Sequence, residues 1–161
     1  FDMRKANARF VYHGLTPPTM PQQVDTLKVA RKYFMFNSNK LGDLGEHLGL
    51  GNKEATGGFG LWAGCMRGDL KAWRKMIKYC KQDVVLLQDV YFALRPWMTN
   101  HPNLNLYTKE HACPTCGSHN LQRRGRRVTK TSVMQSWQCS NCRSYSRSRL
   151  ANKGFKPDIV P

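Results

Sequence analysis

Apolar residues recur every three to four positions through most of the first two thirds of the chain, the spacing of one helix face rather than the alternation of a half-buried strand. Met3 to Val11 predicts a short helix, closed by Gly14 and the Thr16-Pro17-Pro18 break. Val24 is placed at the end of a short strand, after which Asp25 or Thr26 caps a helix whose Leu27, Ala30 and Phe34 share one face. Ser38 precedes Leu41, Leu44 and Leu48, again at helical spacing, and the glycine-rich stretch from Gly49 to Gly60 predicts a loop. Its glycines match neither GxGxxG after a strand nor a P-loop, so a phosphate cradle is not indicated. Asp69 then caps the longest helix, along which Leu70, Trp73, Met76, Ile77, Cys80, Val84, Leu87, Tyr91 and Leu94 predict a continuous apolar stripe. Pro96 and the segment Thr99-Asn100-His101-Pro102-Asn103 supply helix-stopping and turn chemistry, the features of a linker. No internal repeat interrupts this order.

Charge changes the picture. The 161 residues carry 26 Lys plus Arg against 10 Asp plus Glu, a formal net charge of +16. A chain this basic is expected to meet a polyanion. No run approaches the ~20 apolar residues that span a bilayer, and no basic amphipathic helix has a clean apolar face. Nucleic acid, DNA or RNA, is therefore the expected partner, with no membrane. No signal-peptide pattern stands at the start, and the expected location is cytoplasmic, or host cytoplasm for a phage-encoded protein. The first residue is Phe1, which suggests a fragment cut upstream. Composition shifts near residue 106: residues 1–106 hold 15 basic and 8 acidic side chains, and residues 107–161 hold 11 and 2. The expected organisation is a mostly helical domain over 1–106, a small basic module over 107–150 and a tail over 151–161.

The basic module carries the most specific motif. Cys113-Pro114-Thr115-Cys116 and Cys139-Ser140-Asn141-Cys142 are two CxxC pairs separated by 22 residues. Four thiolates suit tetrahedral Zn²⁺, each CxxC turn supplies two sulfurs, and the intervening segment can return as a hairpin. Two disulfides or a redox CxxC are the competing readings, weakened by the paired spacing and the lack of a secretion signal. Structural zinc in a small β zinc ribbon is the expectation, and Gly117 fits the tight turn after the first pair. His111 and His119 are close in sequence, but the four cysteines already complete a site. Cys65 and Cys80 fall outside the pattern, and Cys80 is expected in the core.

Between the pairs runs Arg123-Arg124-Gly125-Arg126-Arg127, with Trp137 further on and Arg143, Tyr145, Arg147 and Arg149 after the second pair. Arginines interleaved with aromatics suit phosphate contact and base stacking. The competing reading makes Trp137 and Tyr145 the filling of a core too small to stand without metal. So many arginines with almost no acidic partners favour nucleic-acid contact for Arg123, Arg124, Arg126, Arg127, Trp137, Arg143, Tyr145 and Arg147.

In the long helix, Tyr79 and Asp83 stand four residues apart, which puts a phenol and a carboxylate on one face. From the helix alone, Tyr79 as a half-buried aromatic and Asp83 as a solvated charge remains an open reading. The order of the surrounding residues adds a second. Phe1-Asp2-Met3 followed by Lys5 to Val11, Val24-Asp25-Thr26-Leu27, Asn39-Lys40-Leu41 with Leu44, and Tyr79 to Val84 together resemble the C-terminal half of a DnaQ-like 3′ to 5′ exonuclease of the DEDD superfamily. Lys78, not His, lies five residues before Asp83, so the likeness is to the Tyr-bearing DEDDy branch. The resemblance implies an α/β fold: an incomplete ribonuclease H-like domain, represented mostly by its helices, followed by the ribbon.

The resemblance also implies chemistry. Phosphodiester hydrolysis must generate hydroxide near neutral pH and stabilise a leaving oxygen, and two divalent ions do both. By resemblance, Asp83 and Asp2 would help hold two Mg²⁺ or Mn²⁺ ions, hard cations that take oxygen ligands. Tyr79 would orient the attacking water, since a phenol with a pKa of about 10 is a poor base at neutral pH. The family's first motif, an Asp-x-Glu on the first strand, is missing from this sequence. Truncation is the expected reason, so the chain alone is expected to be inactive and to leave apolar helix faces exposed where sheet strands are missing. Two function classes follow: a metal-dependent 3′ to 5′ exonuclease releasing nucleoside monophosphates, and a non-catalytic nucleic-acid-binding module on a degenerate exonuclease scaffold.

Overall fold

A computed structural model of the chain describes residues 2–19, 22–52 and 57–150. The side chain of Asp2 and the tail over 151–161 lie outside the described residues.

Among the described residues, five helices precede one small sheet: α1 (Asp2–Tyr12), α2 (Thr26–Tyr33), α3 (Leu41–His47), α4 (Phe59–Met66) and α5 (Leu70–Leu94), then strands β1 (Leu121–Val128), β2 (Val133–Cys139) and β3 (Tyr145–Arg147). Two 3₁₀ turns, Arg95–Trp97 and Leu104–Tyr107, connect the helices to the sheet. The expected coarse α/β class therefore holds, as helices followed by a three-stranded antiparallel sheet of order β1-β2-β3.

Local chemistry sets the helix starts. Asp25 is extended (φ −111°, ψ 108°) and its carboxylate accepts from the Lys28 N–H at 3.2 Å, capping α2. Asp69 accepts from the Lys71 and Ala72 N–H groups, capping the 25-residue α5. The strand expected at Val24 is absent: Val24 is non-helical, has no ladder partner and packs instead against the helical core. The loop expected to reach Gly60 ends earlier, because Phe59 and Gly60 already belong to α4.

The helices pack onto α5 at two places along its length. Val29 and Ala30 of α2 and Leu44 of α3 form one buried cluster with Val90, Leu94 and Met98. Leu61 and Cys65 of α4 form a second with Met76, joined by Ala72 and Tyr79. Two glycines make the approaches possible. A Cβ on Gly45 would lie 2.7 Å from the Leu86 Cδ1, and one on Gly64 would lie 2.8 Å from the Ala72 Cβ, so α3 and α4 sit closer to α5 than any larger residue permits.

The buried line of α5 is therefore Met76, Leu86, Val90 and Leu94, flanked by half-buried Ala72, Tyr79 and Asp83. This corrects the expected stripe by roughly one residue of helical rotation (~100°). Met76 and Leu94 are shared, but Trp73, Ile77, Val84 and Leu87 are 46, 49, 65 and 43 % exposed. Cys80, expected in the core, is exposed, and Cys65 is the buried cysteine of the pair. The physical reason is that α2, α3 and α4 pack on one side of α5, which leaves the adjoining stripe about half exposed.

Candidate metal centre and cationic ribbon

Two turns of the same design bring the four cysteines together. In the first, Gly117 N–H donates to the Cys113 carbonyl at 2.9 Å and Cys113 N–H to the Ser118 carbonyl at 2.8 Å. In the second, Arg143 N–H donates to the Cys139 carbonyl and Cys139 N–H to the Ser144 carbonyl, both at 3.0 Å. Each turn needs a left-handed residue after its second cysteine. Gly117 supplies it at φ 74°, as its place in the sequence suggests, and Arg143 supplies it at φ 64°. A non-glycine residue there carries a steric cost of about 1–2 kcal/mol.

The four Sγ atoms lie within 4.8 Å of one another, with Cys113 and Cys139 fully buried. Cys113 and Cys142 sulfurs are 3.7 Å apart and those of Cys116 and Cys139 are 3.6 Å apart. Tetrahedral zinc with Zn–S bonds of ~2.3 Å separates its sulfurs by about 3.8 Å, so the cluster has the dimensions of a four-thiolate metal site.

The surroundings suit thiolate. Burial pushes the Cys113 thiol up, but hydrogen bonds from Ser144, the backbone N–H groups of Cys116 and Thr115, and Cys142 outweigh it and bring the thiol down to about 7. Burial raises Cys116 as well, and here it prevails, to about 12: the Ser118 backbone and Asn141 lower it, but neighbouring Cys142 and Cys139 add to the rise. Cysteine ligands bind metal as thiolates, so metal binding at this cluster would release the protons that Cys116 and its neighbours hold. Ser144, which sequence reasoning missed, is buried with its hydroxyl 3.0 Å from the Cys142 sulfur and 3.4 Å from that of Cys113. The short Cys-x-Ser spacing was its only signal. His111 and His119 stay outside the cluster: the His119 Nδ1 hydrogen-bonds the His111 carbonyl at 3.2 Å and faces Glu110 at 3.8 Å.

The hairpin between the turns sorts the arginines by strand register. Paired residues share a face, so Arg123 and Arg126, opposite Trp137 and Gln135, lie with Trp137 on one side of the sheet. There the Arg123 guanidinium sits 5.5 Å over the Trp137 ring, His111 meets that ring edge-on, and Trp137 Nε1 donates to the Ser148 hydroxyl at 3.3 Å. Arg127, opposite Met134, and Tyr145 and Arg147, opposite Gln138 and Ser136, belong to the other side. A bulge at Arg124-Gly125, with Gly125 at φ 70°, separates the two pairs of β1 arginines. Arg143 is exposed at its left-handed position in the second turn, and Arg149 is exposed beyond β3.

Tyr79 and Asp83 lie one turn apart on the half-buried line of α5. Tyr79 packs on the Leu61, Cys65 and Met76 cluster, so α4 fixes its ring. The two residues are remote in sequence and in element from the cysteine cluster. No helix among the described residues is long and apolar enough to cross a membrane. No protein-family model matches the chain, and no curated protein or solved structure matches it either.

Proposed function

We propose that the chain is the C-terminal part of a metal-dependent 3′ to 5′ exonuclease of the DEDDy type, with a zinc ribbon that grips nucleic acid. The observation that carries this reading is the placement of Tyr79 and Asp83 on α5 beside an apolar stripe that stays about half exposed among the described residues. A helix that packs three others on one side and keeps Trp73, Ile77, Val84 and Leu87 open on the next is suited to lie against a sheet. Burying such side chains contributes about 1.5–3 kcal/mol each, a strong drive for strands from an upstream segment to dock there.

The residues fit the catalytic assignment in kind. Asp83 offers hard oxygen ligands from a half-buried position, and Tyr79 is held by packing that leaves its orientation fixed. When bound, the two divalent ions supply the hydroxide and neutralise the leaving oxygen. Asp83 and Asp2 would contribute to holding them, and the Tyr79 hydroxyl would donate to or accept from the attacking water and fix its line of approach. The ligand set needs further carboxylates, because this sequence contains no Asp-x-Glu. In the ribbon, zinc on Cys113, Cys116, Cys139 and Cys142 would hold the hairpin that presents the arginines.

The experiment is a hydrolysis assay with Mg²⁺ or Mn²⁺ on a labelled oligonucleotide. The 161-residue chain alone is expected to show no turnover, and the same chain joined to an upstream segment carrying an Asp-x-Glu strand is expected to release nucleoside monophosphates from 3′ ends. Robust exonuclease turnover by the chain alone would overturn the assignment. An upstream segment without Asp-x-Glu would favour the non-catalytic binding module instead.

A further inference from the structure

One groove combines cationic and aromatic side chains from two separate parts of the molecule. It encloses about 590 Å³ between the segment that follows α5 and the side of the sheet opposite Trp137. Trp97, Thr99 and His101 form one wall, and Arg127, Tyr145 and Arg147 form the other. None of the described residues lining it is acidic.

The walls are held, not loose. Trp97 meets Phe34 of α2 edge-on with ring centroids 5.2 Å apart, yet half of its surface is exposed. His101 hydrogen-bonds the Tyr91 hydroxyl of α5 at 2.6 Å through Nε2 and the Pro102 carbonyl at 2.8 Å through Nδ1. A carbonyl only accepts, so Nδ1 carries the proton, and in the neutral ring Nε2 accepts from Tyr91. Farther along, Leu104 N–H donates to the Pro114 carbonyl at 2.8 Å, and the Asn105 side chain accepts from Ala112 N–H at 2.8 Å. These bonds tie the linker to the first cysteine turn and so set the groove's width.

On the sheet wall, Tyr145 is 64 % exposed at the end of β3. Strand alternation puts Tyr145 and Arg147 on one face, and register puts Arg127 of β1 on the same face. Trp137, by contrast, has its ring engaged by Arg123 and His111 on the opposite face. Two exposed rings on facing walls, Trp97 packed edge-on by Phe34, with Arg127 and Arg147 on the Tyr145 wall and no carboxylate, are the elements of a base-stacking platform with phosphate contacts. The volume is that of a small-ligand pocket, about 300–1,000 Å³, which admits consecutive nucleotides of an open strand and not a duplex. Duplex bases, moreover, present no free faces to stack on.

We propose that this groove binds single-stranded nucleic acid, with bases stacked on Trp97 and Tyr145 and phosphates taken by Arg127 and Arg147. The inference rests on the reading of the ribbon as a part that grips nucleic acid, and it narrows that ligand to an unpaired strand. It is tested by binding alone, so its failure leaves the catalytic assignment intact, and failure of the catalytic assignment leaves it standing.

The experiment uses the zinc-loaded full chain with labelled oligo-dT, oligo-U and a hairpin duplex of equal charge. Either single strand is expected to bind more tightly than the duplex, the tighter of the two identifying the sugar. Tyr145→Ala is expected to weaken that strand about tenfold or more, with Tyr145→Phe restoring it. Arg127→Ala and Arg147→Ala are each expected to lower the slope of log affinity against log salt by about one. Trp97→Phe preserves a stacking ring, so affinity is expected to hold within a few-fold while the tryptophan quenching produced by the strand disappears. Unchanged affinity in Tyr145→Ala and Arg147→Ala, equal or tighter duplex binding, or quenching that survives in Trp97→Phe would overturn the proposal.

Discussion

Ser144 shows how much a small buried residue can govern. Its hydroxyl lies 3.0 Å from the Cys142 sulfur and 3.4 Å from that of Cys113, and its hydrogen bond is the largest influence lowering the Cys113 thiol. Ser144→Ala removes this donor from a site whose sulfurs otherwise rely on backbone N–H groups and Asn141. Zinc affinity is expected to fall about 10–100-fold, read by competition with a chromogenic chelator; an unchanged affinity would show that the hydroxyl has no part in the site. The cysteines themselves were legible in the sequence because CxxC spacing encodes ligand geometry directly. Ser144 was not, because a serine after a cysteine pair has no signature until the turn is seen to fold its hydroxyl inward. Arg143 was legible only as a charge, and its left-handed backbone became visible when its place matched that of Gly117. Tyr79 and Asp83 were legible as a helical pair, and the packing of Tyr79 on α4 came from a helix whose start the glycines had hidden.

At the level of the element, α5 separates what a periodicity states from what it omits. Its length and its Asp69 cap were written in the sequence, as were the cap of α2 and the presence of α3. The buried side was not, since α5 carries apolar residues over more than half its circumference and periodicity does not say which neighbours arrive. Small residues on the partners decided it: Gly45 and Gly64 let α3 and α4 close onto the line through Met76 and Leu86. Substitutions distinguish the two faces. Leu94→Ala, in the fully buried cluster, is expected to lower stability by about 2–5 kcal/mol. Val84→Glu, on the open stripe, is expected to stay within about 0.5 kcal/mol while reducing binding of a hydrophobic dye. Both are measured by urea unfolding and dye fluorescence on the same chain, and a large loss of stability in Val84→Glu would mean that the stripe is covered. The strand expected at Val24 failed for a related reason: an extended apolar residue next to a cap packs equally well on a helical core.

For the whole molecule, the net charge of +16 and the two clusters of packing define a division of labour: helices that hold a candidate catalytic pair, and a sheet beside a four-cysteine cluster that presents cationic side chains. The helical core includes none of Cys113, Cys116, Cys139 and Cys142, so chelation is expected to melt the ribbon and weaken oligonucleotide binding while helical signal persists. Reloading zinc near neutral pH is expected to release protons, because Cys116 stands at about 12 and must lose its proton to bind. Falling pH protonates the ligands and opposes the metal, so affinity is expected to drop toward acid; calorimetry in buffers of different ionisation enthalpy measures both, and a spectrum and affinity unchanged by zinc removal would contradict a structural metal. The metal-holding role proposed for Asp83 is tested by comparing 3′ to 5′ release of nucleoside monophosphates, in Mg²⁺, by the upstream-extended protein and its Asp83→Ala variant. Loss of at least about 10³-fold in rate, near 4 kcal/mol of transition-state stabilisation, with oligonucleotide affinity held within a few-fold, is the expected result, and turnover retained in Asp83→Ala would contradict the account.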